Sequence, residues 1–375
     1  MGGPTTKPPS SPLARWSHDL VRFVDRLLAG RPRSGRARQR RAGSVGRLAI
    51  ALLVPAGLLM ASLWPLMATG RTRTTILRIT PEQDRPAILR RLEASGVIRS
   101  ARALDLALSL TGHDGLPDSG TYATTGRLAA IATWERLLRG EDRLVSVTVP
   151  EGWSLKRIDA HLATRGLTRP GAFLEESLRV GRHVERHPWL GHPRPPETLE
   201  GYCFPDTYFL PEGAIDPGQL IDRMLTRFEQ AVLEPFREHP SPGLSLHEAL
   251  TLASLVELEA ARPEERAHIA GVFFNRLDRR MRLGSDPTVE YALGWHQGPR
   301  GLRSRDIAID SPYNTYRVTG LPPGPIGNPG RDSFLAVLKP EKTDDLYFVA
   351  RGGGRHVFTR TYRDHLAAIR QIRGR

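Results

Sequence analysis

The sequence predicts an α+β protein: a single transmembrane helix, a small α/β module behind it, and a larger mixed α+β domain. Three observations carry this. Residues 1–47 hold eleven Lys and Arg against Asp19 and Asp25, which is +9 of the chain's net +14. Directly after Arg47, the run Leu48 to Ala68 has no charge over 21 residues. At a rise of about 1.5 Å per residue that spans roughly 30 Å, the thickness of a bilayer's hydrocarbon core. Beyond it, short alternating runs and helix-period stripes interleave along a single stretch, which is the pattern of a mixed fold.

The Arg-rich flank orients the span by the positive-inside rule, with residues 1–47 cytoplasmic and the remainder outside. Pro55 and Pro65 weaken the run as a soluble helix but are tolerated in a membrane span. A cleaved signal peptide fits less well, because the apolar run exceeds the usual length of about 7–15 residues. The basic tail also fails as a nucleic-acid element, since it has no aromatic interleaving and no helical motif. The one cysteine, Cys203, excludes an internal disulfide framework.

Residues 71–74 read as a polar stem, and Thr75–Ile79 alternates as a strand. Ile88–Leu92 is a helix ended by Gly96, and Leu104–Leu110 is a second helical patch. Gly120–Ala123 turns into a short strand, and Leu128–Leu138 is helical up to Gly140. Leu144–Val149 alternates again, and Ser154 caps a helix to Leu162. These small strand–turn–helix units suggest binding modules. Helices follow at Pro217–Val232, at Leu246–Ala260, and from Pro263 to about Arg280. The rest is loop-rich, with strands at Asp345–Ala350 and Arg355–Thr359 and a terminal helix from Tyr362.

The helix from Leu246 is the chemically informative one. Ser245 and Glu248 form a capping box, and Ala249 to Val256 carry no charge on any face. Glu257 and Glu259 close it. Residues i and i+2 lie about 200° apart on a helix, so the two carboxylates cannot share a cleft. Either could be a carboxyl whose pKa is raised by apolar surroundings, and so a proton donor. Either could equally pair with an arginine of the Arg262–Arg266 segment.

Other chemistries find little support. His183 and His187 with Glu185 and His192 do not have the spacing of a zinc site, and read as a polar surface loop. There is no serine-hydrolase elbow, no phosphate or dinucleotide loop, and no cofactor signature. What stands out is a density of polar groups in turn-rich loops: Glu200-Gly201, Asp206-Thr207-Tyr208, Asn275-Arg276, Ser285-Asp286-Pro287-Thr288 and Tyr313-Asn314-Thr315-Tyr316. Amide, hydroxyl and aromatic groups suit a neutral acetylated sugar polymer, although each of these residues alone also serves as a cap, turn or packing residue.

Five long segments, in order along the chain, give a resemblance. They are Leu199–Tyr208, Ala253–Glu259, Val272–Leu277, Met281–Val289 and Ser311–Gly330, followed by Leu346–Val349 and His356–Phe358. Together they resemble the endolytic murein transglycosylase (YceG-like) family over roughly residues 75–370. The resemblance implies that Glu259 is the catalytic residue, that Glu257 supports it, and that a LysM-like module lies at about 145–178 within an extracytoplasmic region 71–195. It places the catalytic domain at 196–375 and implies substrate contacts from Glu200, Asp206, Tyr208, Asn275, Arg276, Asp286, Tyr313 and Asn314. Leu258 departs from the family, where the residue between the glutamates is usually basic, and Cys203 takes a position more often large and apolar.

The implied partners are peptidoglycan strands, the inner membrane and penicillin-binding proteins, with no nucleic acid, metal or cofactor. The implied reaction cuts the β-1,4 bond between N-acetylmuramic acid and N-acetylglucosamine within strands, leaving 1,6-anhydro ends. Two alternatives remain open on sequence alone: a hydrolytic muramidase, and a catalytically inactive peptidoglycan-binding scaffold on a membrane anchor.

Overall fold

A computed structural model describes residue 60 and residues 63–241, 243–294 and 302–374. The Arg-rich tail and nearly all of the apolar run Leu48–Ala68 lie outside these residues. Among the described residues no helix is long and apolar enough to cross a membrane. The described residues form two compact units, one from those up to 77 with 81–117 and 124–139, the other from 78–80, 118–123 and those from 140 onward.

The first unit is built on α1 (Arg85–Ala94), α2 (Ala101–Thr111) and α3 (Ala130–Leu138). Asp84 and Ser100 cap the first two by accepting from the amides of Ala87 and Ala103. Ile88, Leu89, Leu92, Leu104, Leu108, Trp134 and Leu137 are all buried, as the helical spacing of these positions requires.

A four-stranded sheet has the order β1 (Thr75–Ile79), β2 (Gly120–Thr124), β3 (Arg143–Thr148), β4 (Thr207–Pro211). Strand β3 runs antiparallel to both β2 and β4, with Val145 opposite Leu210 and Val147 opposite Tyr208. In the second unit α4 (Leu155–Thr164) is followed by α5 (Ala172–Ser177) and α6 (Gly181–Val184). The buried carboxylate of Asp159 accepts from the amides of Gly171, Phe173 and Leu174, so it serves as the cap that α5 lacks in its own sequence.

The helical part of this unit begins with α7 (Pro217–Phe228), a π turn over Glu229–Leu233, and α8 (Glu234–Glu238). Then come α9 (Leu246–Glu259), α10 (Arg266–Asp278), α11 (Asp286–Ala292), α12 (Ser304–Ile307) and α13 (Arg331–Leu338). A hairpin of β5 (Tyr347–Gly352) and β6 (Arg355–Thr359) precedes α14 (Tyr362–Arg373). Helix α9 packs against α10 and α13, and its residues 249–256 are all buried.

The structure adds elements that the sequence pattern hid. Thr207–Pro211, read from the sequence only as part of a polar, aromatic loop, is a strand that pairs with β3 over five residues. Asp286–Ala292 and Arg331–Leu338, expected as loop, are helices that bury apolar residues on the core. Pro263 opens a 3₁₀ turn, and the α-helix behind it starts at Arg266. Of the histidines expected on a surface loop, His192 is exposed but His183 and His187 are buried, and His183 Nδ1 lies 2.7 Å from Asp222, a carboxylate 39 residues away.

Close loop packing fixes the region around α9. Gly201 has φ +86°, and a Cβ there would lie 2.5 Å from Pro325 Cγ and 3.2 Å from Leu250 of α9. We expect Gly201→Ala to destabilise the protein by about 2 kcal/mol or more, through strain and overlap together. Gly181→Ala, with open space around its Cβ and ordinary φ, leaves the thermal midpoint nearly unchanged. Equal midpoints for the two variants would contradict this packing.

Candidate active site

The site grows from the end of α9. Ser245 accepts from the Glu248 amide, and Glu248 Oε2 accepts from the Ser245 amide at 2.8 Å, which completes the capping box read from the sequence. The helix enters the core uncharged and ends with two carboxyl groups pointing to different surroundings.

Glu257 accepts from Arg266 Nη2 at 3.3 Å and from the Gly330 amide at 3.0 Å, and its side chain is 8% exposed. Arg266 also donates to Ser333 Oγ at 2.9 Å and lies 3.8 Å from Glu151. This is a buried ion pair held in place by its own hydrogen bonds, and removing either partner would strand a charge. Burial and the nearby Glu257 charge, in that order, raise the pKa of Glu151.

Glu259 has no ion-pair partner among the described residues. Among the described residues its carboxyl has one hydrogen bond, from Ser285 Oγ, which donates to Oε1 at 2.6 Å. Desolvation pushes the Glu259 pKa up to about 7; the Ser285 bond and the Arg276 charge oppose this, and Asp286 and Glu290 add to it. The residue as a whole keeps partial exposure even though protein atoms crowd its carboxyl. A carboxyl that is about half protonated near pH 7 and still partly exposed can donate a proton and take one back.

Small hydroxyls set the wall behind it. Ser285 N donates to Thr315 Oγ1 at 2.9 Å, Thr288 Oγ1 donates to Ser285 O at 2.6 Å, and the two threonine hydroxyls lie 2.9 Å apart. All three residues are buried. Asp286 is exposed beside them and accepts from Tyr316 OH at 2.6 Å. Arg276 donates to the carbonyls of Leu346 and Leu283 and lies 5.3 Å over the Tyr347 ring.

The other residues singled out from the sequence take varied places. Asn275 donates to the carbonyls of Thr343 and Asp345, and Asn314 to those of Ile307 and Ile309. Tyr208 donates to Phe204 O. These three direct polar atoms at backbone. Asp206 pairs with Arg227 at 2.7 Å, both partly exposed, and Tyr313 packs on Tyr291 at 4.9 Å between ring centroids. Arg276 and Asp286 are the residues of that set whose charges act on Glu259.

Glu200 is a second buried carboxyl. It accepts from the amide of Leu155, from Asn328 Nδ2 at 3.3 Å and from Tyr291 OH at 3.4 Å. Asn328 also accepts from the Cys203 amide and donates to Trp153 O, so it ties three loops together. Desolvation lifts the Glu200 pKa to about 8, against the lowering effect of its hydrogen bonds. The sequence reading named Ser285, Thr288 and Thr315 only within polar loop segments and Asn328 only within a family motif, and it assigned none of them a role beside the glutamates. Their signal was present only as turn chemistry, which many loops share.

Helix α9 thus ends in one carboxyl that pairs with an arginine and one that is crowded, partly exposed and raised in pKa, an arrangement that can give and take a proton. The chain belongs to the YceG-like family, whose model matches residues 77–371. It is 34% identical over 309 residues to an endolytic murein transglycosylase of Bacillus subtilis, covering 78% of this chain and 84% of that one. It is 36% identical over 228 residues to an endolytic murein transglycosylase of Streptococcus pneumoniae, covering 56% of this chain and 41% of that longer protein. The fold is similar to the crystal structure of a yceG-like protein from Listeria monocytogenes, with a TM-score of 0.56 and 30% identity over 78% of this chain and 98% of that one.

Glu200 gives a stability signature. Its folded pKa near 8 lies above the ordinary value of about 4.3, so the folded state holds a proton that the unfolded state releases. The stability that Glu200 contributes is therefore full below about pH 4.3 and is lost as pH rises towards 8, at up to about 1.4 kcal/mol per pH unit. In chemical denaturation, Glu200→Gln should flatten that decline. An unchanged slope would contradict a neutral Glu200.

Proposed function

We propose that this protein is a membrane-anchored endolytic lytic transglycosylase of peptidoglycan, with Glu259 as its only acid–base residue. The observation that carries the reading is the contrast between two carboxyls two residues apart. Glu257 is spent on Arg266 and the Gly330 amide, while Glu259 faces one hydroxyl and has a pKa near 7. The family relationship and the names of the relatives support the same reaction.

The chemistry needs one carboxyl because the substrate supplies the rest. Protonated Glu259 gives its proton to the glycosidic oxygen between N-acetylmuramic acid and N-acetylglucosamine as the bond to C1 breaks. The sugar's 2-acetamido oxygen stabilises the oxocarbenium-like charge in place of a second carboxylate. The 6-hydroxyl of the same muramic acid then attacks C1, and its proton returns to Glu259. The carboxyl ends as it began, no water is consumed, and the product is a 1,6-anhydro end.

Around this centre the reading assigns substrate contact to Arg276, Asp286 and Tyr313, and to Asp206 further along the loops. Glu200, Tyr208, Asn275 and Asn314 shape the loops that carry them. Residues 48–68 anchor the chain in the cytoplasmic membrane with 1–47 inside. Residues 71–195 form an extracytoplasmic arm with a LysM-like glycan-binding module at about 145–178, and 196–375 form the catalytic domain. Such an enzyme would end glycan growth beside penicillin-binding proteins.

Glycan strands digested by the full-length protein should yield mixed-length oligosaccharides with 1,6-anhydro-muramoyl ends, one water lighter than hydrolytic ends by mass spectrometry. Glu259→Gln should fold and lose activity by about 10²-fold or more, the scale of a lost general acid–base group. Reducing muramic acid ends would instead identify a hydrolase, and full activity in Glu259→Gln would remove this residue from the mechanism.

A further inference from the structure

The hydroxyl of Ser285 is used against its local preference. Ser285 stands at the N-cap of α11, where a serine oxygen ordinarily accepts from an amide one turn on. It makes no such bond. Its Oγ donates instead to Glu259 Oε1 at 2.6 Å, across 26 residues of chain.

The rest of Ser285 is fixed so that this hydroxyl has nowhere else to go. Its amide donates to Thr315 Oγ1, and its carbonyl accepts from Thr288 Oγ1. With the Thr288 proton spent on that carbonyl, the proton between the two threonine hydroxyls comes from Thr315. The Thr315 carbonyl in turn accepts from the Gly284 amide at 3.1 Å, so both sides of the loop are pinned. Ser285 is 1% exposed and both threonines are fully buried. On the other side, Oε1 of Glu259 has this one donor, and no hydrogen bond from a described residue reaches Oε2.

We propose that Ser285 is the positioning residue for Glu259 in the reaction argued above, and that it divides the work between the two carboxyl oxygens. Donation to Oε1 makes that oxygen the carbonyl of the neutral acid, so the proton sits on Oε2, the atom that no hydrogen bond from a described residue reaches. When the Oε2–H bond breaks and the proton joins the glycosidic oxygen, negative charge spreads over both oxygens. The Ser285 bond then becomes charge-assisted, and is stronger than it was in the neutral state. An interaction that strengthens towards the transition state raises the rate, whereas one equally strong in both states would not. In the second half, the 6-hydroxyl proton returns to Oε2 while Oε1 keeps its donor.

The inference rests on the assignment of Glu259, and the test separates the two. Ser285→Ala, Ser285→Thr and Glu259→Gln are compared in the full-length protein for kcat, KM and the pH dependence of kcat on glycan strands. Ser285→Ala should lower kcat about tenfold or more with KM little changed, the scale of one charge-assisted hydrogen bond. Without the bond that lowers the Glu259 pKa, the alkaline limb of the profile should move to higher pH. Ser285→Thr keeps the hydroxyl and should recover part of kcat and the original limb.

A Ser285→Ala enzyme with an unmoved limb, or with its loss confined to KM, overturns the proposal while Glu259→Gln remains inactive. An active Glu259→Gln overturns the parent reading instead. Should Ser285→Ala fail to fold, Ser285→Cys supplies the comparison, because it keeps the shape with a much weaker donor.

Discussion

Helix α9 is buried on every side from Ala249 to Val256, and a helix end sunk that deeply has no free choice about charge. A carboxylate there must find a cation and amides, or take up a proton. The protein adopts both solutions within three residues. Arg266 and the Gly330 amide meet Glu257, whereas Glu259 meets one serine hydroxyl among the described residues and is desolvated. The divergence of the two side chains follows from helix geometry alone, since positions i and i+2 point to nearly opposite sides.

The loops around α9 are arranged to maintain that contrast. Asn328 bonds to Glu200, to Trp153 and to the Cys203 amide, and so locks the segments around 153, 200 and 328 to one another. A Cβ at Gly201 would overlap Pro325, and one at Gly327 would lie 2.6 Å from the Gly152 carbonyl. Glycine at these positions lets backbones approach closely enough to exclude water. Exclusion of water is what raises the pKa of both Glu200 and Glu259. Packing density and acid strength are therefore one property of this region.

Much of this was legible in the sequence, for reasons that can be named. The capping box at Ser245 and the uncharged run behind it are local signals, and α9 begins and ends within a residue of where they place it. The two glutamates stood out because charge ending an apolar helix is rare. Their different fates were not legible, because the partners come from Arg266, Gly330 and Ser285, and only the fold brings those together. Strand β4 and helices α11 and α13 were missed for the same reason. Thr207–Pro211 becomes a strand by pairing with β3, and Arg331–Leu338 a helix by packing on α9. The amides of Asn275 and Asn314 read as sugar ligands in the sequence, and in the fold their nitrogens donate to backbone carbonyls, which for Asn275 only the tertiary structure brings near.

The account turns on Glu259 keeping its proton far above the ordinary carboxyl range in the resting protein, and that can be observed without substrate. The protein would be prepared full-length in detergent with carbon-13 in its glutamate carboxyls and titrated by NMR beside Glu259→Gln. The resonance that disappears in the variant identifies Glu259. The account requires its midpoint to lie near 7. A midpoint at the ordinary glutamate value of about 4.3 would mean an ionised Glu259 at neutral pH, and would contradict the mechanism at its first step.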